Sequence, residues 1–145
     1  MKFSLNPATQ SALYLTRSFA APRERVRQAW LDAATLQQWF GPLAALDWKP
    51  RVGGAFRLDY PLLGNTKSAV EGEFQDVSDE MLVLAWVGQG GLRAMGGTLV
   101  TVEFRKGPLG TELALTHELL PTAAARDAQR QEWMERLERL AVLLG

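Results

Sequence analysis

Residues 70–87 read VEGEFQDVSDEMLVLAWV. Val70, Gly72 and Phe74 alternate with Glu71, Glu73 and Gln75, the period-two pattern of a strand that is dry on one face and wet on the other. Asp79-Glu80 makes a tight turn, and beyond it Leu82, Leu84 and Trp86 are the bulkier parity of a second strand over Met81–Val87. The same period runs outward in both directions. Upstream, Gly53-Gly54 opens a strand whose Phe56, Leu58 and Tyr60 share a face. Downstream, Val100, Val102 and Phe104 form an inward set, and Gly107-Pro108-Leu109-Gly110 is a hairpin loop leading to Leu113, Leu115, His117 and Leu119. Near the N-terminus Leu13, Leu15, Arg17 and Phe19 share one parity of a half-buried strand. Five or six successive antiparallel strands are predicted.

The remaining segments have a helical period. Pro22 suits a first helical turn with Glu24 close behind, and Val26, Ala29 and Trp30 form one face. Asp32 is a candidate N-cap for a second short helix carrying Leu36, Trp39 and Phe40, ended by Gly41-Pro42. Thr122 is a candidate N-cap for the last element. There Trp133, Leu137, Leu140, Ala141 and Leu144 make a sustained stripe, while Glu132–Arg136 and Glu135–Arg139 read as i,i+4 pairs on a solvated face. At ~1.5 Å per residue this helix is long enough to cross a twisted sheet. The reading is one α+β domain over residues 1–145.

Composition restricts the chemistry. The chain has 145 residues, with 16 basic and 16 acidic side chains, no cysteine and one histidine. Thiolate catalysis, iron–sulfur clusters and cysteine-based zinc sites are excluded, and no multi-histidine metal site is available. No metal and no cofactor is predicted: the glycines of 88–97 (GQGGLRAMGG) place Arg93 where a dinucleotide fingerprint needs its third glycine, and no G-x-S-x-G or Walker-type sequence occurs. A balanced charge argues against nucleic acid as a partner. The opening MKFSLNPATQ lacks the apolar core of an export signal, and the longest apolar run, Met81–Val87, is far short of the ~20 residues that span a bilayer. The expected location is cytoplasmic, without membrane insertion.

Several stretches carry a resemblance. Arg17-Ser-Phe-Ala-Ala-Pro22 followed by Val26 and Ala29-Trp30, then Trp39-Phe40-Gly41-Pro42, then Asp47 ahead of Val52-Gly53-Gly54-Ala55-Phe56-Arg57 come in order. Gly72-Glu73-Phe74 leading to Leu82–Trp86, Thr111–His117, and Trp133, Leu137 and Leu140 complete the set. Over about residues 13–144 the chain resembles the activator-of-heat-shock-protein-90-ATPase homologue-like family, within the SRPBCC/START/Bet v 1-like superfamily. The resemblance implies the helix-grip fold: a curved antiparallel sheet around a long C-terminal helix, with two short helices after the first strand. It also implies binding of apolar small molecules between sheet and helix. The glycine-rich segment 88–97 matches no motif of the family. The eukaryotic co-chaperone carries a large second domain that contributes to chaperone binding, which residues 1–145 do not include.

A sheet curled around one helix leaves space that becomes a cavity lined mainly by apolar and aromatic side chains. By parity the expected ligand-binding residues are Phe56, Leu58, Tyr60, Phe74, Leu84, Trp86, Val102, Leu115, His117, Trp133 and Leu137. His117 titrates near ~6.5 when unperturbed and is a candidate acid, base or donor. Tyr60 offers a phenol. Arg17, on an apolar parity, needs a carboxylate partner from the protein or a ligand, and Arg130 is a candidate entrance residue or a solvated one. Segment 88–97 is read as a surface loop or a lid. The expected function is binding of a small apolar or amphipathic molecule. The alternatives are a cyclase, dehydratase or hydrolase using His117 or Tyr60 in the same cavity, and a chaperone-interacting protein.

Overall fold

The computed structural model describes residues 12–90 and 93–145. The MKFSLNPATQ segment lies outside them, as do Gly91 and Leu92 of the glycine-rich segment. Seven strands form one antiparallel sheet in the order β1-β7-β6-β5-β4-β3-β2. They are β1 (Leu13–Phe19), β2 (Ala45–Trp48), β3 (Ala55–Asp59), β4 (Ala69–Val77), β5 (Met81–Gln89), β6 (Gly97–Gly107) and β7 (Gly110–Glu118). Two short helices, α1 (Arg23–Leu31) and α2 (Ala33–Phe40), follow β1, and α3 (Ala123–Leu144) closes the chain. The short β2 adds a strand that period-two patterning does not reveal. Only four residues long, it pairs through Leu46↔Leu58 and Trp48↔Phe56.

Alternation determines which face is buried. Leu82, Leu84 and Trp86 of β5, Val100, Val102 and Phe104 of β6, and Leu113, Leu115 and His117 of β7 are all buried. In β4 the inward set includes Gly72, and a Cβ there would lie 1.7 Å from the Ala85 carbonyl oxygen, so the close strand approach requires glycine. A register shift between Phe74 and Asp76 bends β4 as it pairs with β5.

Helix ends follow side-chain chemistry. Pro22 is the N-cap of α1 rather than its first helical residue, and its carbonyl accepts from Arg25 and Val26 at 3.0 and 3.1 Å. Asp32 caps α2 as expected, accepting from the Thr35 amide at 3.0 Å and its hydroxyl at 2.5 Å, bonds that hold the carboxyl below its ordinary range. Gly41 ends α2 with φ +102°, and α3 reaches it: Arg139 donates to the carbonyls of Trp39 and Phe40 at 2.9 and 3.1 Å. Two orphan carbonyls at the end of α2 are thus satisfied by a side chain 99 or more residues away in sequence. Thr122 caps α3 through the Ala125 amide at 3.0 Å. Thr122→Ala is expected to cost about 1 kcal/mol, read as a lower denaturant midpoint with an unchanged slope. A loss under ~0.3 kcal/mol would assign the cap no energetic role.

The core is aromatic. Trp30 stacks on Trp133 at 6.0 Å, Trp86 lies 5.3 Å from Trp133, Phe40 meets Trp133 edge-on at 5.8 Å, and Trp48 meets Phe74 at 4.9 Å. Trp39 and Trp48 send their indole N–H groups to the carbonyls of Ala29 and Trp30 at 2.9 and 2.8 Å, which ties α2 and β2 to α1. Arg17 finds its carboxylate within the protein, Glu138 of α3 at 2.7 Å, on a half-exposed surface where such pairs add little stability.

Candidate functional site

Among the described residues, the side chains between sheet and α3 form one packed core. Phe56, Leu58, Phe74, Leu84, Trp86, Val102, Leu115, His117, Trp133 and Leu137 are all buried in the core, and none of them lines either of the two larger open pockets. Of the expected lining set, Tyr60 alone does, and it lines both. Aromatic rings pack against one another there, and four of the five tryptophans have essentially no exposed surface. Open volume lies at the mouth of the grip instead.

His117 sits beneath that mouth with both ring nitrogens used. The Thr98 hydroxyl donates to the Trp86 carbonyl at 2.5 Å, so it accepts from His117 Nε2–H at 2.8 Å. His117 Nδ1 then accepts from Trp133 Nε1–H at 3.1 Å. This pattern fits one neutral tautomer. Burial, joined by the positive charge of Arg136, pushes its pKa down to about 3. Both ring nitrogens are thus taken by protein partners, which join β7 to β6 through Thr98 and to α3 through Trp133.

Arg136 departs from the solvated face expected of it. Its pairing with Glu132 suggested a solvated face, yet its side chain is 3% exposed and its oxygen partner lies 3.8 Å away. The guanidinium carbon is 4.6 Å from the ring centroids of both Phe40 and Trp133. Nη2 donates to the Tyr60 hydroxyl at 2.7 Å, and Nη1 has no acceptor among the described residues. The other expected pair also fails: Arg139 turns to the end of α2, and Glu135 accepts from Gln131.

A pocket of about 430 Å³ opens onto this arginine. It is bounded by Phe40-Gly41-Pro42 at the end of α2, by Tyr60–Ser68 between β3 and β4, by Arg93, and by Glu132, Glu135, Arg136 and Arg139 of α3. Arg93, from the glycine-rich segment, lies 3.7 Å over the Tyr60 ring and pairs with Glu132 at 2.8 Å. Leu62 and Leu63 stand on the rim, Leu63 with 77% of its surface exposed. A second pocket of about 530 Å³ shares Tyr60, Leu62 and Ser68, but its arginine, Arg57, is already satisfied by Asp59 and Glu71 at 3.0 and 2.9 Å. Arg130 lines neither.

Sequence reading missed Arg136, Arg93 and the leucine rim. A signal for Arg136 existed: it lies three residues after Trp133 and four before Leu140, on the helix's apolar stripe. Nothing local marks Arg93, whose partners are 39 residues away on α3 and 33 away at Tyr60.

A curved antiparallel sheet gripping a C-terminal helix, with two short helices after the first strand, defines a helix-grip protein. The chain belongs to the family described as Activator of Hsp90 ATPase homolog 1-like protein, whose model matches residues 20–145. Membership goes with a ligand-binding fold in general. Among solved structures, protein CV1439 from Chromobacterium violaceum is 25% identical, with 92% of this chain and 97% of that chain covered and a TM-score of 0.79. The Mll3558 protein from Rhizobium loti is 27% identical over 91% and 95% of the two chains, with a TM-score of 0.78. The AHSA1 protein SPO3351 from Silicibacter pomeroyi, 23% identical over 92% and 96%, superposes with a TM-score of 0.80 and shows the fold alone. No curated protein matches the chain in sequence. Among the described residues no helix is long and apolar enough to cross a membrane.

Proposed function

We propose that the protein binds a small amphipathic molecule in the mouth pocket between the end of α2, the Tyr60–Ser68 connection and α3. The observation that carries this reading is Arg136, a buried guanidinium lining an open pocket with one nitrogen unspent. A buried donor without an acceptor is costly, and a ligand that supplies one removes the penalty. Phe40, Pro42, Pro61, Leu62 and Leu63 give the same pocket an apolar side. Phe56, Trp86, Trp133 and the other interior residues then shape the floor, and Tyr60 is the member of the expected set that meets the ligand.

A thermal-shift screen of amphipathic compounds tests this. A ligand at 100 times its Kd stabilises by about 2.7 kcal/mol, raising the midpoint by at least ~3 °C. The double variant Leu62→Asp/Leu63→Asp alters exposed residues and is expected to keep the unliganded midpoint within about 0.5 kcal/mol of wild type while losing the shift. Hits that persist undiminished in that variant would place the ligand elsewhere.

A further inference from the structure

We infer that the ligand of the mouth pocket is a monocarboxylate with an apolar body, its two oxygens taken by Arg136 Nη1–H and the Tyr60 hydroxyl. The inference rests on the proposed pocket and names its ligand class. The donor pair follows from the hydrogen bonds these side chains already make. Tyr60 accepts from Arg136 Nη2, so its own proton remains to be given, and Arg136 Nη1 is unspent. The two unused donors belong to side chains joined by one bond of 2.7 Å that both line the pocket, with Nη1 itself closed to solvent until a ligand oxygen reaches it. Two adjacent donors suit the two oxygens of a carboxylate.

Charge sets the valence. Arg93, Arg136 and Arg139 line the pocket against Glu132 and Glu135, an excess of one positive charge. Glu132 is shared between Arg93 at 2.8 Å and Arg136 at 3.8 Å, and Arg139 gives its N–H groups to neutral carbonyls. The unneutralised charge is felt below the floor, where Arg136 helps to keep His117 unprotonated. A monoanion completes the balance, whereas a dianionic phosphate would meet two carboxylates with one surplus cation. The rim leucines and the Phe40 ring suit a short alkyl or aryl body.

Binding of octanoate, octanol and octyl phosphate, and of 3-phenylpropanoate and 3-phenylpropanol, to the full chain tests the assignment by titration calorimetry. Each acid is expected to bind at least roughly tenfold tighter than its alcohol, and octyl phosphate more weakly than octanoate. Tyr60→Phe should cost the acids roughly tenfold and the alcohols less, because a charged acceptor loses more than a neutral one. Arg136→Met should make acid and alcohol equal, and Tyr60→Phe keeps the test decisive if Arg136→Met does not fold. Equal binding of acid and alcohol by wild type would overturn the carboxylate assignment while the amphipathic pocket stands. Tighter binding of octyl phosphate would overturn it in favour of a dianion. Failure of acids and alcohols alike would overturn the pocket reading and this inference with it.

Discussion

Trp133→Ala is expected to lower the unfolding free energy by about 4 kcal/mol, within the range for removing a buried indole. The ring touches Trp30, Phe40 and Trp86 and lies beneath the Arg136 guanidinium, so its loss opens a cavity where helices, sheet and pocket floor meet. It also strips His117 Nδ1 of its donor in a site that water does not reach. Domains of this size are stable by roughly 5–15 kcal/mol, so this one change removes a large share of the total. The expected thermal midpoint falls by ~10 °C or more. Trp133→Phe keeps most of the packing and loses the donor, and is expected to cost about 1–2 kcal/mol. A Trp133→Ala loss below ~1 kcal/mol would contradict the packing described here.

Acid is the second lever. His117 is held neutral to about pH 3 in the folded chain, whereas in the unfolded chain it titrates near ~6.5. Between those values the unfolded state binds a proton that the folded state refuses, so stability is full above the unfolded pKa and falls as pH drops. The slope approaches about 1.4 kcal/mol per pH unit, and the loss between pH 7.5 and pH 5 is about 2 kcal/mol. Denaturant titrations at the two pH values measure it. In His117→Gln, whose amide can serve Trp133 and Thr98 without titrating, most of that difference should vanish. Equal pH dependence in variant and wild type would show that His117 is protonated in the folded protein.

The fold was legible because one face of each long strand is dry. Alternation in β4 through β7 and the stripe through Trp133, Leu137, Leu140 and Leu144 depend only on local period, and the structure buries those residues. Asp32, Thr122 and Gly41 were readable as helix ends because caps act within a few residues. What failed to read was long range. Parity places Phe56, Leu84, Trp86 and Leu115 on the inner face correctly, but it carries no information on whether facing rings close the gap. The size of Trp30, Trp39 and Phe40, brought in from α1 and α2, closes it. Charge patterning misled at Arg136 because an i,i+4 glutamate suggests a surface, whereas the aromatic rings of Phe40 and Trp133 hold the guanidinium. His117 looked reactive in isolation. Its two partners, one from the neighbouring strand and one from the last helix, occupy both of its ring nitrogens.

These features join in one design. Aromatic packing fixes α3 against the sheet, and α3 in turn caps α2 through Arg139 and carries Arg136 to the mouth. There the Tyr60 phenol and the leucine rim meet it. On the proposed function a ligand occupies this mouth and not the interior. The most direct measurement is a set of intermolecular NOEs from the alkyl protons of bound octanoate to assigned side chains. The account predicts contacts to Phe40, Leu62 and Leu63 together with a shifted Arg136 Nε–Hε resonance, while contacts to Leu115, Leu137 and Trp86 would contradict it.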